Sequence, residues 1–194
     1  MNWRSVIEKG IPAEIRAYVA TGADLELPLF RSKRTGWLHG ARPLQLAAVE
    51  GSPEVVETLL DLGAEVDSRG SEDRTALNYA ANIGRRSICE ILLAAGADRD
   101  AIDLRGRTAL YVCPSARMTD DEVCELAGKL YSDRAARSAE LKTGFTPLHK
   151  ALAKSRLRTA AALVRWGADP NALDYRGRRP HEVLGCQGDP ERDL

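Results

Sequence analysis

The segment Thr146-Pro147-Leu148-His149-Lys150-Ala151, followed by Leu163-Val164 and Gly167-Ala168-Asp169-Pro170-Asn171, decides how this chain is read. Its opening recurs as Arg42-Pro43-Leu44-Gln45-Leu46-Ala47-Ala48, Thr75-Ala76-Leu77-Asn78-Tyr79-Ala80-Ala81 and Thr108-Ala109-Leu110-Tyr111. Its close recurs as Gly22-Ala23-Asp24, Gly63-Ala64-Glu65-Val66-Asp67 and Gly96-Ala97-Asp98. The anchor leucines stand at 44, 77, 110 and 148, so their separations are 33, 33 and 38. Another 33 steps reach His181, inside Arg179-Pro180-His181-Glu182-Val183-Leu184. Self-similarity at a fixed period of this length marks a repeat architecture, in which each unit buries its apolar face on its neighbours.

The residues describe a helix pair per period. Thr75 is placed to cap a short helix running through Ala81, its hydroxyl accepting from the first free N–H groups. Gly84 ends that helix where a left-handed conformation costs little. Ile88, Ile91, Leu92 and Leu93 give a second helix its apolar side, and Gly96 stops it. The preceding unit follows the same design with Ala47, Ala48, Gly51, Val55, Val56, Leu59, Leu60 and Gly63, and Pro53 sits where a missing N–H is harmless. Paired alanines keep each first helix thin.

This period and the motif T-P-L-H-x-A-A, G, apolar helix, L-L-x-x-G-A-D resemble the ankyrin repeat family, and the copies cover nearly the whole chain. The resemblance implies an all-α solenoid of antiparallel helix pairs joined by short protruding β-hairpin loops, and a role in binding other proteins. Repeats are expected at about 2–35, 36–69, 70–102, 103–140 and 141–173, with a partial capping repeat at 174–184 and a flexible tail at 185–194. The first repeat is degenerate: Trp3, Val6 and Ile7 occupy first-helix positions, with Trp3 expected to cap the end of the stack. The hairpin around 26–37 is enlarged. In the fourth repeat Pro114 should end the first helix early. Thr119 and Glu122 should form a capping box for a helix carrying Val123, Leu126, Ala127 and Leu130. The stretch 131–140 then reads as an extra helical turn or a loop.

Composition narrows the class. Of 194 residues, 44% are hydrophobic and 29% charged, which supports a folded core. Lys+Arg and Asp+Glu are both 28, which excludes a generally basic nucleic-acid coat but leaves local patches open. No apolar run is long enough for a membrane span, and the start does not resemble a signal peptide. Cys89, Cys113, Cys124 and Cys186 show no ligand spacing and read as core fillers in a reducing, cytoplasmic setting. No phosphate loop, H-E-x-x-H or G-x-S-x-G is present, so neither catalysis nor a cofactor, metal or small-molecule substrate is expected. His149 and His181 fall at or near the recurrent T-P-L-H position, where hydrogen bonds between adjacent repeats are the expected job.

In the family pattern, hairpin tips and the exposed side of each first helix line a concave binding face. Carried onto this chain, the candidate partner-binding residues are Trp37, Arg69, Glu72, Arg74, Arg105, Arg107, Lys142, Phe145, Lys154, Tyr175, Arg176 and Arg178. Ile102, Leu104, Ala116 and Leu173 belong to the same positions. Phe145 and Tyr175 are expected to face solvent, where aromatic and arginine side chains favour interfaces. Charge is uneven: Pro43 to Asp67 holds six acids and no Lys or Arg, whereas Lys142 to His181 holds nine bases and two acids. The first reading is a non-enzymatic protein-interaction module, acting as a scaffold, an inhibitor or an immunity protein. The alternative is nucleic-acid binding, and it requires several of Lys142, Lys150, Lys154, Arg176, Arg178 and Arg179 to converge.

Overall fold

The computed structural model describes residues 2–29, 40–115 and 117–184. Trp37, His39, Ala116, Cys186, most of the enlarged loop and the 185–194 tail lie outside the described residues. The elements are short helices in pairs: α1 (Trp3–Lys9) with α2 (Pro12–Ala20), α3 (Pro43–Glu50) with α4 (Pro53–Asp61), and α5 (Ala76–Ile83) with α6 (Arg86–Ala94). After them come α7 (Ala109–Val112), α8 (Asp120–Leu130) and α9 (Asp133–Arg137), then α10 (Pro147–Ala153) with α11 (Leu157–Arg165). Short 3-10 turns occupy Ser71–Asp73, Cys113–Ser115 and Pro180–Val183. This is an all-α repeat fold of paired helices, the solenoid class. It divides into two compact units, Met1–Ala80 with Arg85–Asp98, and Ala81–Gly84 with Arg99–Leu194.

Leu44, Leu77, Leu110 and Leu148 are each the second residue of a first helix, and each is buried. In the first unit α1 packs on α3, α2 on α4, and α4 on α6. Ala47 and Ala48 are fully buried, which leaves room for Val55, Val56 and Leu59 of α4. Gly51 is required where α3 ends, because a Cβ there would stand 2.7 Å from the Ala47 carbonyl oxygen one turn back. Trp3 is buried, donates its indole N–H to the Asp24 carbonyl at 2.9 Å, and meets Tyr18 edge-on at 5.0 Å. Cys89 fills core space, and burial pushes its thiol up to about 12.

The second unit contains the irregular fourth repeat. As Pro114 dictates, α7 is one turn long and runs into the 3-10 turn Cys113–Ser115. Thr119 and Glu122 form the capping box that starts α8, whose Val123, Leu126, Ala127 and Leu130 are buried. The stretch after α8 folds as α9, capped by Ser132 and held by buried Ala135 and Ala136. Asp120 also reaches across to α11, which lacks a cap of its own. Its carboxylate accepts from Arg158 N at 2.7 Å and from Thr159 N and Oγ1 at 3.2 and 2.7 Å. Burial alone would raise the Asp120 pKa, but those donors and nearby Arg156 hold it below the ordinary value.

The expected β-hairpins are not formed: among the described residues the only β-pairing is one isolated antiparallel bridge, Leu29 with Ala41. Instead, single backbone bonds close the loops, from Gly70 N to Arg74 O, Asp103 N to Arg107 O, Glu140 N to Phe145 O and Asp174 N to Arg178 O. Side chains supply the rest. In the first unit Gln45 Nε2 donates to the Ser68 and Arg74 carbonyls at 2.7 and 3.2 Å. In the second, His149 Nδ1 lies 3.3 Å from Thr146 N, while Nε2 lies 3.1 Å from the Arg178 carbonyl. That pairing assigns a neutral ring with its proton on Nε2. His181 does not share the role. It is exposed, and Glu182, one residue on, accepts from Arg179 N.

Two outcomes test this fold. Asp120→Ala should cost about 1–2 kcal/mol, read as faster amide exchange along α11. The pH profile tests His149. Burial pushes its pKa below 6.5, more than its bond to Arg178 O and nearby Asp174 raise it. Below that pH the unfolded chain binds the extra proton first, so stability is complete above 6.5 and falls as pH drops through that range. His149→Gln, which copies Gln45, should shrink the loss of Tm between about pH 7.5 and 5.5. An equal loss in both proteins would refute the assignment.

Candidate functional site

Three loops of the second unit are built by one device. Asp103 Oδ1 accepts from Arg105 N at 2.9 Å and Arg107 N at 3.0 Å, and Oδ2 from Arg107 Nε at 2.9 Å. Asp174 repeats this with Arg176 N, Arg178 N and Arg178 Nε at 2.8, 2.9 and 2.8 Å. The loop between them is one residue longer, and the longer Glu140 spans it, accepting from Lys142 N, Thr143 N and Thr143 Oγ1 at 3.2, 2.8 and 2.8 Å. Asp103, Glu140 and Asp174 are all buried. Burial would raise the Asp174 pKa, but the donors from Arg178 and Arg176 bring it below the ordinary value.

With each acid turned inward, the next residue points out. Leu104, Leu141 and Tyr175 are 68%, 62% and 67% exposed, and each is followed by an exposed base, Arg105, Lys142 and Arg176. Ile102 and Leu173 add to the apolar surface beside them. The tips are fixed to one another: Leu141 N donates to Arg105 O at 2.8 Å, and Tyr175 N to Thr143 O at 2.9 Å. Leu141 lies over Gly106 and Tyr175 over Gly144. A Cβ on Gly106 would stand 2.9 Å from Leu141 Cγ, and one on Gly144 2.7 Å from Tyr175 Cδ1. Both glycines also have φ of 74°, a left-handed conformation that disfavours any side chain. The result is a row of apolar–basic tips held at set spacing.

Several expected contact residues lie elsewhere. Phe145 does not face solvent: it is 2% exposed, stacked on His149 at 5.2 Å, with the Arg178 guanidinium 5.6 Å from its ring centroid. Arg107 is buried and ion-paired to Asp103 at 2.8 Å, so it holds its loop and is not an exposed contact. Arg178 is half-buried and tied to Asp174. These three residues each follow a loop glycine. Lys142, Lys154, Tyr175, Arg176 and Arg105 are exposed. In the first unit Arg69, Glu72 and Arg74 share one loop and find partners within it. Arg74 pairs with Glu72 at 2.6 Å and sits over the Tyr79 ring, and Arg69 donates to the Asp73 carbonyl. Trp37 is outside the described residues.

Leu141 was missing from the sequence-derived set. The 38-residue step shifts it out of the 33-residue count. Aligning the loops on their acid and glycine would have placed it with Leu104 and Tyr175. Of the late bases, Lys150 is buried 5.7 Å over the Tyr111 ring and Arg178 is held by Asp174, whereas Lys142, Lys154, Arg176 and Arg179 are exposed. Among the described residues no group of His, Cys, Asp and Glu could hold a metal ion, and no helix is long and apolar enough to cross a membrane.

Known proteins bear on this arrangement. The family model for ankyrin repeats in three copies matches residues 44–127, and the model for a single ankyrin repeat matches 143–175. The interval between the matches contains α9. The chain is 29% identical over 164 residues to the B-cell lymphoma 3 protein homolog of Mus musculus, covering 82% of this chain and 34% of that protein. It is 31% identical over 150 residues to the nuclear factor NF-kappa-B p105 subunit of Gallus gallus, covering 75% of this chain and 15% of that protein. The chain thus spans about a third or less of these relatives. Ankyrin repeats are non-catalytic modules that generally mediate protein–protein interactions. With helix pairs at a 33-residue period and two family models in phase with them, the chain belongs to the ankyrin repeat family.

Proposed function

We propose that this chain binds another protein along the row Leu104–Arg105, Leu141–Lys142 and Tyr175–Arg176, and acts by occupying that partner's surface as a scaffold or an inhibitor, an immunity protein being one form of the latter. The observation that carries the reading is the threefold repetition of an exposed apolar residue and an exposed base above an acid locked inside its loop. Exposed leucines at this density on fixed tips are what an interface offers before its partner arrives. Covering each is worth about 1.5–3 kcal/mol, and a tyrosine and an arginine side by side make a favoured anchor. Binding through preset loops also avoids the ordering cost a floppy hairpin would add. Cys89, Cys113 and Cys124 are free thiols, which supports a cytoplasmic setting for the interaction.

The test is a partner captured from the native organism and identified by cross-linking. Leu104→Ser with Tyr175→Ser should weaken binding by about tenfold or more with helicity unchanged, because both side chains are already in solvent. Undiminished binding would remove this row from the interface. A bound nucleic acid, recognised by a steep linear loss of affinity with log salt, would replace the reading with the basic-patch alternative.

A further inference from the structure

A cleft of about 380 Å³ opens between the 100–108 loop and α9, at the low end of the range in which ligand groups are held, ~300–1,000 Å³. Ile102 and Leu141, 44% and 62% exposed, give it apolar walls. Arg134 and Arg137 of α9 line it from the other side, and both are exposed. Arg137 Nε donates to the Asp133 carbonyl at 3.1 Å, which holds that side chain along its own helix. Neither arginine forms an ion pair with a described residue. Asp100 is the one acid among the lining residues, and the Ser132 hydroxyl is hydrogen-bonded to it. The cleft therefore presents two cations against one carboxylate, beside an apolar surface continuous through Leu141 with the tip row.

We infer that this cleft is a specificity pocket for an acidic side chain of an extended partner segment, with a neighbouring apolar residue of that segment resting on Ile102 and Leu141. The inference rests on the interaction reading above only in that its occupant is protein. Two arginines lining one opening supply guanidinium forks that can meet a carboxylate bidentately, which a lysine pair does not. The pocket exists because α9 interrupts the repeat between the two matched stretches, so it is a property of this chain's irregularity. An extended segment reaches both features because Leu141 belongs to each: it walls the cleft and stands in the middle of the tip row.

The experiment pans a library of short linear peptides displayed on phage against the full chain, and measures the enriched sequences as synthetic peptides. The expected result is enrichment of Asp or Glu next to Leu, Ile, Val or Phe. Affinity should fall by about tenfold or more in Arg134→Glu/Arg137→Glu, and equally when the peptide's acid becomes its amide. Arg134→Gln/Arg137→Gln, with an unchanged Tm, guards against a folding effect and should also weaken binding. Enrichment of peptides without an acid, binding that ignores both double variants, displacement of the peptide by short duplex DNA, or no enrichment at all would each overturn the pocket. If the natural partner needs Leu104 and Tyr175 while no acidic peptide is selected, the pocket fails and the interaction reading stands. If an acidic peptide needs Arg134 and Arg137 while the natural partner ignores the tips, the reverse holds.

Discussion

Backbone groups in the loops between helix pairs must find partners without a β-ladder to supply them, and this constraint governs the rest of the structure. The chain answers it with side chains at two fixed places. An acid at the start of the loop collects the N–H groups of the tip, as Asp103, Glu140 and Asp174 do. A polar residue on the first helix joins its own helix start to a loop carbonyl, as Gln45 and His149 do. Both kinds of group are buried, so losing one leaves a desolvated donor or acceptor behind at about 1–3 kcal/mol. Rigid tips are the consequence, and the apolar–basic row inherits its spacing from them.

The fourth repeat shows what happens when that regularity is interrupted. Pro114 shortens α7, and the second half of the repeat compensates with a longer, well-capped α8. Asp120 then serves two helices, standing in the first turn of α8 and capping the first turn of α11. Tyr131 donates to the Trp166 carbonyl and its ring lies 5.4 Å from the indole, so the chain leaves α8 in a fixed direction. The five residues of α9 follow from that exit, and so does the position of Arg134 and Arg137 beside the 100–108 loop. An insertion that would be a floppy loop without these anchors becomes a wall.

The period, the helix starts and stops, and the early end of α7 were legible because each rests on local chemistry: a threonine cap, a glycine stop, a proline without its N–H. The orientation of loop residues was not, because it depends on what lies beneath them. Phe145 reads as a solvent-facing aromatic until it is seen packed against His149 and Arg178. Arg107 and Arg178 occupy the same place after a loop glycine, and their charge is answered by Asp103 and Asp174. His181 misleads by a single step: counting 33 from Leu148 lands on the leucine position, and the hydrogen-bonding place belongs to Glu182. In the Asp103 and Asp174 loops the carboxylate takes the Arg107 and Arg178 N–H that a ladder would use.

How a partner can attach is limited by the same accounting of backbone groups. Leu141 N and Tyr175 N already donate to the Arg105 and Thr143 carbonyls, so these tips offer those groups to no incoming strand. Recognition by strand addition, in which main-chain bonds give affinity, is therefore closed at these positions. What remains exposed is side chain: leucine, leucine and tyrosine, each beside a base. On the proposed reading, affinity comes from covering that apolar row, and discrimination from where the partner places its acids. A surface of this kind tolerates many apolar sequences along the row, so it needs a second feature to reject the wrong ones. An off-register pair of arginines reached through the shared Leu141 is such a feature, because a partner that fits the row alone leaves them unmatched.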